Sequence, residues 1–206
     1  MNATDQTGKD GARGHSPATL SEAAEKPIAL DPRLQAAWIG ARLCGPAFTV
    51  QGCGGDNLAL HHAVLAAPAG SVLVVDVGGA RHGHWGEVLA VAAQHRGIAG
   101  LLIDGGVRDR DELRDLRFPV FSRRNSVVGT RKHYHGQLGI PVRVGGVVIS
   151  TGDLIVGDAD GAVAIPAAEI DRVLDAADGR IEQERDFMNR LRAGVTTFEL
   201  YQLPGA

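Results

Sequence analysis

From Val72 to Asp109 the chain reads VLVVDVGGARHGHWGEVLAVAAQHRGIAGLLIDGGVRD. Two apolar runs, Val72-Leu-Val-Val and Ala99-Gly-Leu-Leu-Ile103, are short and apolar at consecutive positions, the pattern of strands buried on both faces. Trp85 to His95 between them has the length and spacing of a helix. Each strand ends in an acid, Asp76 or Asp104, followed by glycines. Gly78 to Gly83 and Asp104 to Val107 are therefore read as turns. Strand, glycine turn, helix, repeated, is the order of parallel strands joined by crossover helices.

The same unit extends outward. Upstream come a strand at Ala47 to Gln51, a glycine turn at Gly52 to Gly55 and a helix at Asn57 to Ala67; downstream, a helix at Asp109 to Leu116. Past Pro119, β-branched runs broken at Gly145-Gly146, Gly152-Asp153 and Asp158 to Gly161 predict short strands with tight turns. Ala167 to Arg192 returns to helical spacing through Ile170, Val173, Leu174 and Ala177, with Gly179 expected to divide it. A short helix is expected at Thr19 to Lys26, stopped by Pro27, and a linker runs on to Pro32. Residues 1–17 hold too little apolar surface to repay ordering and are expected to be a flexible tail. Residues 18–206 are expected to form one α/β domain in which the β-rich stretch packs against the β/α part.

Composition narrows the function. The 206 residues are 44% hydrophobic and 22% charged, with a net charge of −3, which excludes a disordered chain. With that charge and few aromatics the chain lacks the basic face or stacking platforms of a nucleic-acid binder. The tract Arg131-Lys132-His133 is short and reads as a solvated loop. Cys44 and Cys53 lack metal-site or disulfide-framework spacing and are expected to be small buried residues in a reducing compartment. No apolar run approaches the roughly 18 residues of a membrane span, and the first residues lack the apolar stretch of a secretory signal. A cytoplasmic protein without membrane contact is expected.

In open α/β sheets ligands gather beyond the carboxyl ends of the strands, where this sequence puts its polar residues. The helix start Gly86-Glu87-Val88-Leu89 offers unpaired amides for a carboxylate or phosphate. Arg108 offers a planar fork for a carboxylate. Asp104 and Asp109 can both face one hard cation, for which two protein carboxylates suffice. Each of these has a plainer reading: Asp109 with Glu112 is also a helix capping box, Asp104 and Asp76 can satisfy turn amides, Arg108 can be a surface ion-pair partner, and Gly86 to Leu89 an ordinary helix entry. His82 and His84 read as solvated loop histidines. Gly52-Cys-Gly-Gly55 imitates a dinucleotide fingerprint, but Asn57 stands where its third glycine belongs.

Gly86-Glu87-Val88-Leu89 together with Ile103-Asp-Gly-Gly-Val-Arg108-Asp109 closely resembles the class II pyruvate aldolases that act on 4-hydroxy-4-methyl-2-oxoglutarate and 4-carboxy-4-hydroxy-2-oxoadipate. Their superfamily includes the regulator of ribonuclease activity A. The likeness continues through Ala18-Thr-Leu-Ser-Glu22-Ala, Gly45-Pro-Ala-Phe-Thr-Val50, Gly55-Asp-Asn57, Gly152-Asp-Leu154, Asp158-Ala-Asp-Gly161 and Arg190-Leu-Arg-Ala-Gly194. The resemblance implies a single-domain swivelling β/β/α layered fold, assembled as homotrimers or hexamers with active sites between subunits. It implies substrate binding at Gly86, Glu87, Val88, Leu89 and Arg108, a divalent cation, Mg²⁺ or Mn²⁺, at Asp109, and metal-bound water held by Asp104. Acids supplied by a neighbouring subunit correspond to Glu22 and Glu184. The implied reaction is metal-dependent aldol cleavage of a small 2-oxo acid to pyruvate through a pyruvate enolate, with oxaloacetate decarboxylation as a side activity. The alternative is a non-enzymatic ribonuclease regulator of the same fold; that branch lacks an acid at the position of Asp109. Groups beyond the pyruvyl half would be read by Arg81 to Trp85 and Arg123-Arg124.

Lysine is scarce: only Lys9, Lys26 and Lys132 occur. A Schiff-base aldolase needs a desolvated lysine, and only Lys132, in a basic loop, is placed for one. The composition therefore favours a metal route over an imine.

Overall fold

Val72, Val74 and Leu102 bury their side chains on one face of a sheet while Leu73, Val75, Leu101 and Ile103 bury theirs on the other, because successive strand residues point to opposite faces. That two-sided burial sets the layers. In the computed structural model, which describes residues 14–26 and 28–204, the strands are β2 (Leu43–Gln51), β3 (Val72–Trp85), β4 (Gly100–Val107) and β5 (Val120–Asn125). They pair in parallel in sequence order. The crossovers are α2 (Leu58–Ala66), α3 (Glu87–His95) and α4 (Arg110–Asp115). All three bury residues in the core on one side of the sheet, as crossovers of one hand require.

The β-rich half joins this sheet. The hairpin of β9 (Leu154–Asp158) and β10 (Gly161–Ile165) lies antiparallel beside β2, so the strand order is β1-β5-β4-β3-β2-β9-β10, with β1 at Gln35–Ala36. Strand β2 serves two neighbours in turn: Leu43 to Pro46 pair with β9, and Ala47 to Gln51 pair with β3. A two-residue strand β6 (Gln137–Leu138) pairs with the end of β2, and a separate hairpin joins β7 (Val142–Val144) to β8 (Val147–Ile149). Val142, Val144, Ile149 and Ile155 fill a second core against the face of the sheet opposite the crossover helices. The outer face of β9 and β10 packs against α1 (Pro17–Ala23) and α5 (Ile170–Arg192) through Leu20, Val156, Ile165, Val173 and Ala177. The result is the expected layered α/β domain.

Several local expectations need correction. Gly78 to Gly83 and Asp104 to Val107 are not turns. They prolong β3 and β4 past the pair Asp76↔Asp104, with residues 77–85 running against residues 105–107 through successive register shifts. Gly78 and Gly79, at φ 64° and 68°, supply the left-handed backbone that such bulges need. Gly179 does not divide the C-terminal helix, which runs unbroken for 23 residues. Cys53 is exposed and Cys44 only half-buried. Of the expected tail, residues 1–13 lie outside the described residues; Ser16 caps α1, accepting from Thr19 N–H at 3.1 Å, and His15 Nε2 is 2.9 Å from Asp178. Among the described residues no helix is long and apolar enough to cross a membrane.

Candidate functional site

The prolonged ends of β3 and β4 deliver two corners to one place. β3 ends at Trp85, and Gly86 opens α3; β4 ends at Val107, and Arg108-Asp109 opens α4. Arg108 N–H donates to the Trp85 carbonyl at 2.9 Å, which holds the corners together. Between them and α2 is a cleft of about 230 Å³ lined by Gly86, Val88, Leu89, Arg108 and Asp109, with Asn57, His61 and Lys132 opposite.

Asp109 is in the left-handed region, at φ 57° and ψ 47°, a conformation that costs an L-residue energy and that aspartate tolerates better than most. It does not act as the capping-box residue: its side chain makes no hydrogen bond to its own helix. Its Oδ2 instead accepts the Glu87 N–H of the neighbouring helix at 3.1 Å and lies 3.5 Å from Arg108 Nε. The strained backbone thus aims a carboxylate at the start of α3. A Cβ at Gly86 would run into Asp109 Oδ2, so this glycine clears space for the acid. One of the helix amides, that of Glu87, is therefore committed to Asp109, whereas Ala90 N–H returns to the Gly86 carbonyl. The amides of Val88 and Leu89 are the ones left at the helix start to meet an anion. The Arg108 side chain is 47% exposed and has Asp109 as its ion-pair partner.

Asp104 is directed elsewhere. Its residue is 8% exposed, and Arg123 grips both carboxylate oxygens, Nε to Oδ1 at 2.5 Å and Nη2 to Oδ2 at 2.8 Å. Gly145 N–H lies 3.4 Å from the same Oδ2, and Arg123 reaches on to Asp31 at 3.2 Å. Asp31, which also carries Arg33, is held well below the usual carboxylate range by its arginine hydrogen bonds. In this structure the Asp104 carboxylate is paired with Arg123 inside the scaffold rather than with a group at Asp109. Arg123, expected to read the distal part of a substrate, is tied up in the same network.

Glu22 and Glu184 come together, though not at the cleft. Both face Arg180, Glu22 in a close ion pair and Glu184 at 3.7 Å, where α1 meets α5. Neither lines the cleft of its own chain.

His84 is fully buried, contrary to the expectation of a solvated loop. Its Nε2 accepts the Gly55 N–H at 3.1 Å, and burial holds its pKa below the ordinary imidazole value. That bond occupies an amide a dinucleotide pyrophosphate would need, and the Asp76 carboxylate turns back to accept Gly78 N–H at 2.8 Å. The basic tract is exposed, and its backbone is pinned to the 55–57 loop by Asn57 N–H to the Arg131 carbonyl at 3.0 Å and His133 N–H to Asp56 at 2.7 Å. Lys132 is thereby set at the cleft as an exposed amine.

Asn57 and His61 also line the cleft, with no role assigned to them by motif or composition. Their spacing, one turn apart at the start of a helix, is a signal that they share a face.

The donor set fits a hard cation of the Mg²⁺ kind in one respect. Asp109 presents a single partly exposed carboxylate, and such ions keep several waters and take one or two protein carboxylates. Among the described residues no group of three or more His, Cys, Asp or Glu side chains gathers to cage a metal.

Arg108 and the Asp109 carboxylate thus stand at the start of α3 on a layered α/β scaffold. Residues 17–164 match the RraA-like family, described as Aldolase/RraA, and the chain belongs to that family. A protein of Halalkalibacterium halodurans with the provisional name 4-hydroxy-4-methyl-2-oxoglutarate aldolase is 40% identical over 137 residues, 66% of this chain and 65% of that protein. The match thus spans slightly less than two thirds of that relative's length. Among solved structures, an uncharacterised protein of Pseudomonas syringae pv. tomato superposes with a TM-score of 0.84 at 29% identity, covering 93% of this chain and 91% of its own. The RNA-processing inhibitor RraA from Thermus thermophilis superposes with a TM-score of 0.68 at 29% identity, over 74% of this chain and 93% of that one.

Proposed function

We propose that the chain is a divalent-metal-dependent aldolase that cleaves 4-hydroxy-4-methyl-2-oxoglutarate-type 2-oxo acids to pyruvate, with oxaloacetate decarboxylation as a side activity. The observation that carries the reading is the convergence of Asp109, Arg108 and the Val88 and Leu89 amides in one cleft. The names of aldolase relatives support it.

Asp109 would hold the cation, Mg²⁺ or Mn²⁺, which when bound supplies Lewis-acid polarisation of the 2-keto group. The α3 amides and the positive end of that helix hold the substrate carboxylate. Arg108 stands where charge develops on the keto oxygen as the C3–C4 bond breaks, and one preorganised donor of this kind is typically worth about 3–4 kcal/mol. In aldol cleavage the 4-hydroxyl loses its proton, the C3–C4 electron pair becomes the pyruvate enolate, and C3 is then protonated. Oxaloacetate gives the same enolate by losing CO₂, without a hydroxyl proton to remove. Glu22 and Glu184 of the partner subunit would serve the proton transfers in a homotrimer or hexamer. Their shared position on Arg180, away from their own chain's cleft, supports that reading.

The test is pyruvate release from 4-hydroxy-4-methyl-2-oxoglutarate and from oxaloacetate, followed with a coupled dehydrogenase. Release that stops with EDTA and returns with Mg²⁺ is expected; release indifferent to EDTA contradicts the metal route. The RraA likeness favours a second reading, a ribonuclease regulator without enzymatic activity. Capture of a ribonuclease by a chain that turns over neither substrate would select it.

A further inference from the structure

The inner wall of the cleft is not explained by the groups assigned so far. Asn57 Oδ1, His61 Nε2, His84 Nδ1 and Trp85 Nε1 are buried, belong to residues that line the cleft, and have no hydrogen-bond partner among the described residues. A buried polar atom left unpaired destabilises the fold. Four such atoms in the wall of one cleft mark a place where a ligand that displaces the groups covering them completes the bonding.

The Asn57 amide has a fixed sense. Asn57 is 8% exposed, and its Nδ2 donates to the His84 carbonyl at 3.1 Å, so the free atom is the side-chain oxygen, which only accepts. Its complement must bring a hydrogen, which a carboxylate or keto oxygen cannot. His61 follows one helical turn later, its backbone N–H 3.4 Å from the Asn57 carbonyl, and thus shares a face with Asn57. Burial and the nearby Lys132 ammonium hold the His61 ring below the usual imidazole range, leaving it an uncharged group able to give or take one bond at Nε2.

We propose that Asn57 and His61 form the subsite that reads a hydroxyl group on the substrate carbon beyond the pyruvyl unit, the hydroxyl donating to Asn57 Oδ1 and pairing with His61 Nε2. The inference rests on the aldolase reading and deepens it. A 2-oxo acid without that hydroxyl leaves Asn57 Oδ1 unpaired, and a site built to bond a hydroxyl discriminates against an analogue that lacks it.

The test compares wild type, Asn57→Leu and His61→Leu by pyruvate release from 4-hydroxy-4-methyl-2-oxoglutarate and from oxaloacetate with Mg²⁺, each protein checked by thermal unfolding. In each variant kcat/KM for the hydroxylated substrate should fall at least about tenfold, while that for oxaloacetate stays within about threefold. An unchanged ratio between the two substrates overturns the proposal. Asn57→Leu also loses the bond to His84 and can destabilise the fold; His61→Leu removes no side-chain hydrogen bond within the described residues and decides the matter alone. If wild type turns over neither substrate, the aldolase reading fails separately, and calorimetric titration with 4-hydroxy-2-oxoglutarate against 2-oxoglutarate tests the subsite by itself. A preference for the hydroxylated acid that His61→Leu abolishes sustains it; equal binding of the two acids by wild type overturns it.

Discussion

Replacing Arg123 with methionine tests whether Asp104 belongs to the scaffold. Methionine keeps most of the apolar stem and deletes the guanidinium that grips Asp104 at 2.5 and 2.8 Å and reaches Asp31 at 3.2 Å. The Asp104 and Arg123 side chains are each 12% exposed, so water cannot readily replace the lost partner. Removing one member of a buried pair leaves an uncompensated charge and costs about 3–5 kcal/mol. The lower end applies here, because Gly145 N–H remains near Asp104 Oδ2. In a domain of this size each kcal/mol lowers Tm by about 2–4 °C, so a loss of roughly 6–12 °C is expected by circular dichroism at pH 7. Asp104→Asn/Arg123→Met removes the orphaned charge and should regain much of that loss. A single variant that melts within about 2 °C of wild type, or a double variant less stable than the single, would refute the reasoning.

Three further outcomes are expected. Gly86→Ala pushes a methyl group into the Asp109 carboxylate while its extended backbone, φ −162°, accepts alanine. Pyruvate release should fall about 100-fold, the scale of a 1 Å displacement at a reacting centre, with little change in Tm; an active Gly86→Ala enzyme would show that the carboxylate does not need this position. His84 is buried with its pKa lowered chiefly by desolvation, so the fold resists protonating it while the unfolded chain accepts a proton near pH 6.5. Its contribution is complete above that pH and is lost as the pH falls below it; the decline in Tm between pH 7 and 5 should be smaller in His84→Gln, and an identical decline would remove His84 as its source. Lys132 lines the cleft as an exposed amine, so borohydride with pyruvate should leave no adduct on it by mass spectrometry. A trapped adduct would restore the imine route.

The alternation of strands and crossover helices was legible because apolar runs and helical spacing are local signals. The bulged ends of β3 and β4 were not. Asp-Gly and Gly-Gly pairs are turn residues in isolation, and only pairing between the two strands, a long-range event, keeps residues 77–85 extended. The unbroken helix across Gly179 reflects how weakly one glycine opposes a long helix, at about 1 kcal/mol.

At the site, Arg108 and Asp109 were visible beside the Gly86 helix start, because strand ends before helix starts gather ligands. The fate of Asp104 was hidden: its counter-charge, Arg123, stands nineteen residues later on the neighbouring strand. His84 gave no sign of burial because the amide it serves, Gly55, is 29 residues away. Asn57 and His61 carried a readable helical spacing, but the wall they face exists only once β3 and α2 are packed together.

On the aldolase reading proposed above, Asp109, and not Asp104, commits this cleft to metal-dependent 2-oxo acid chemistry. Pyruvate release from oxaloacetate with saturating Mg²⁺, compared for wild type, Asp109→Ala and Asp104→Asn on folded protein, tests it most directly. Loss of release in Asp109→Ala with retention in Asp104→Asn is the predicted result; full release in Asp109→Ala would contradict the account.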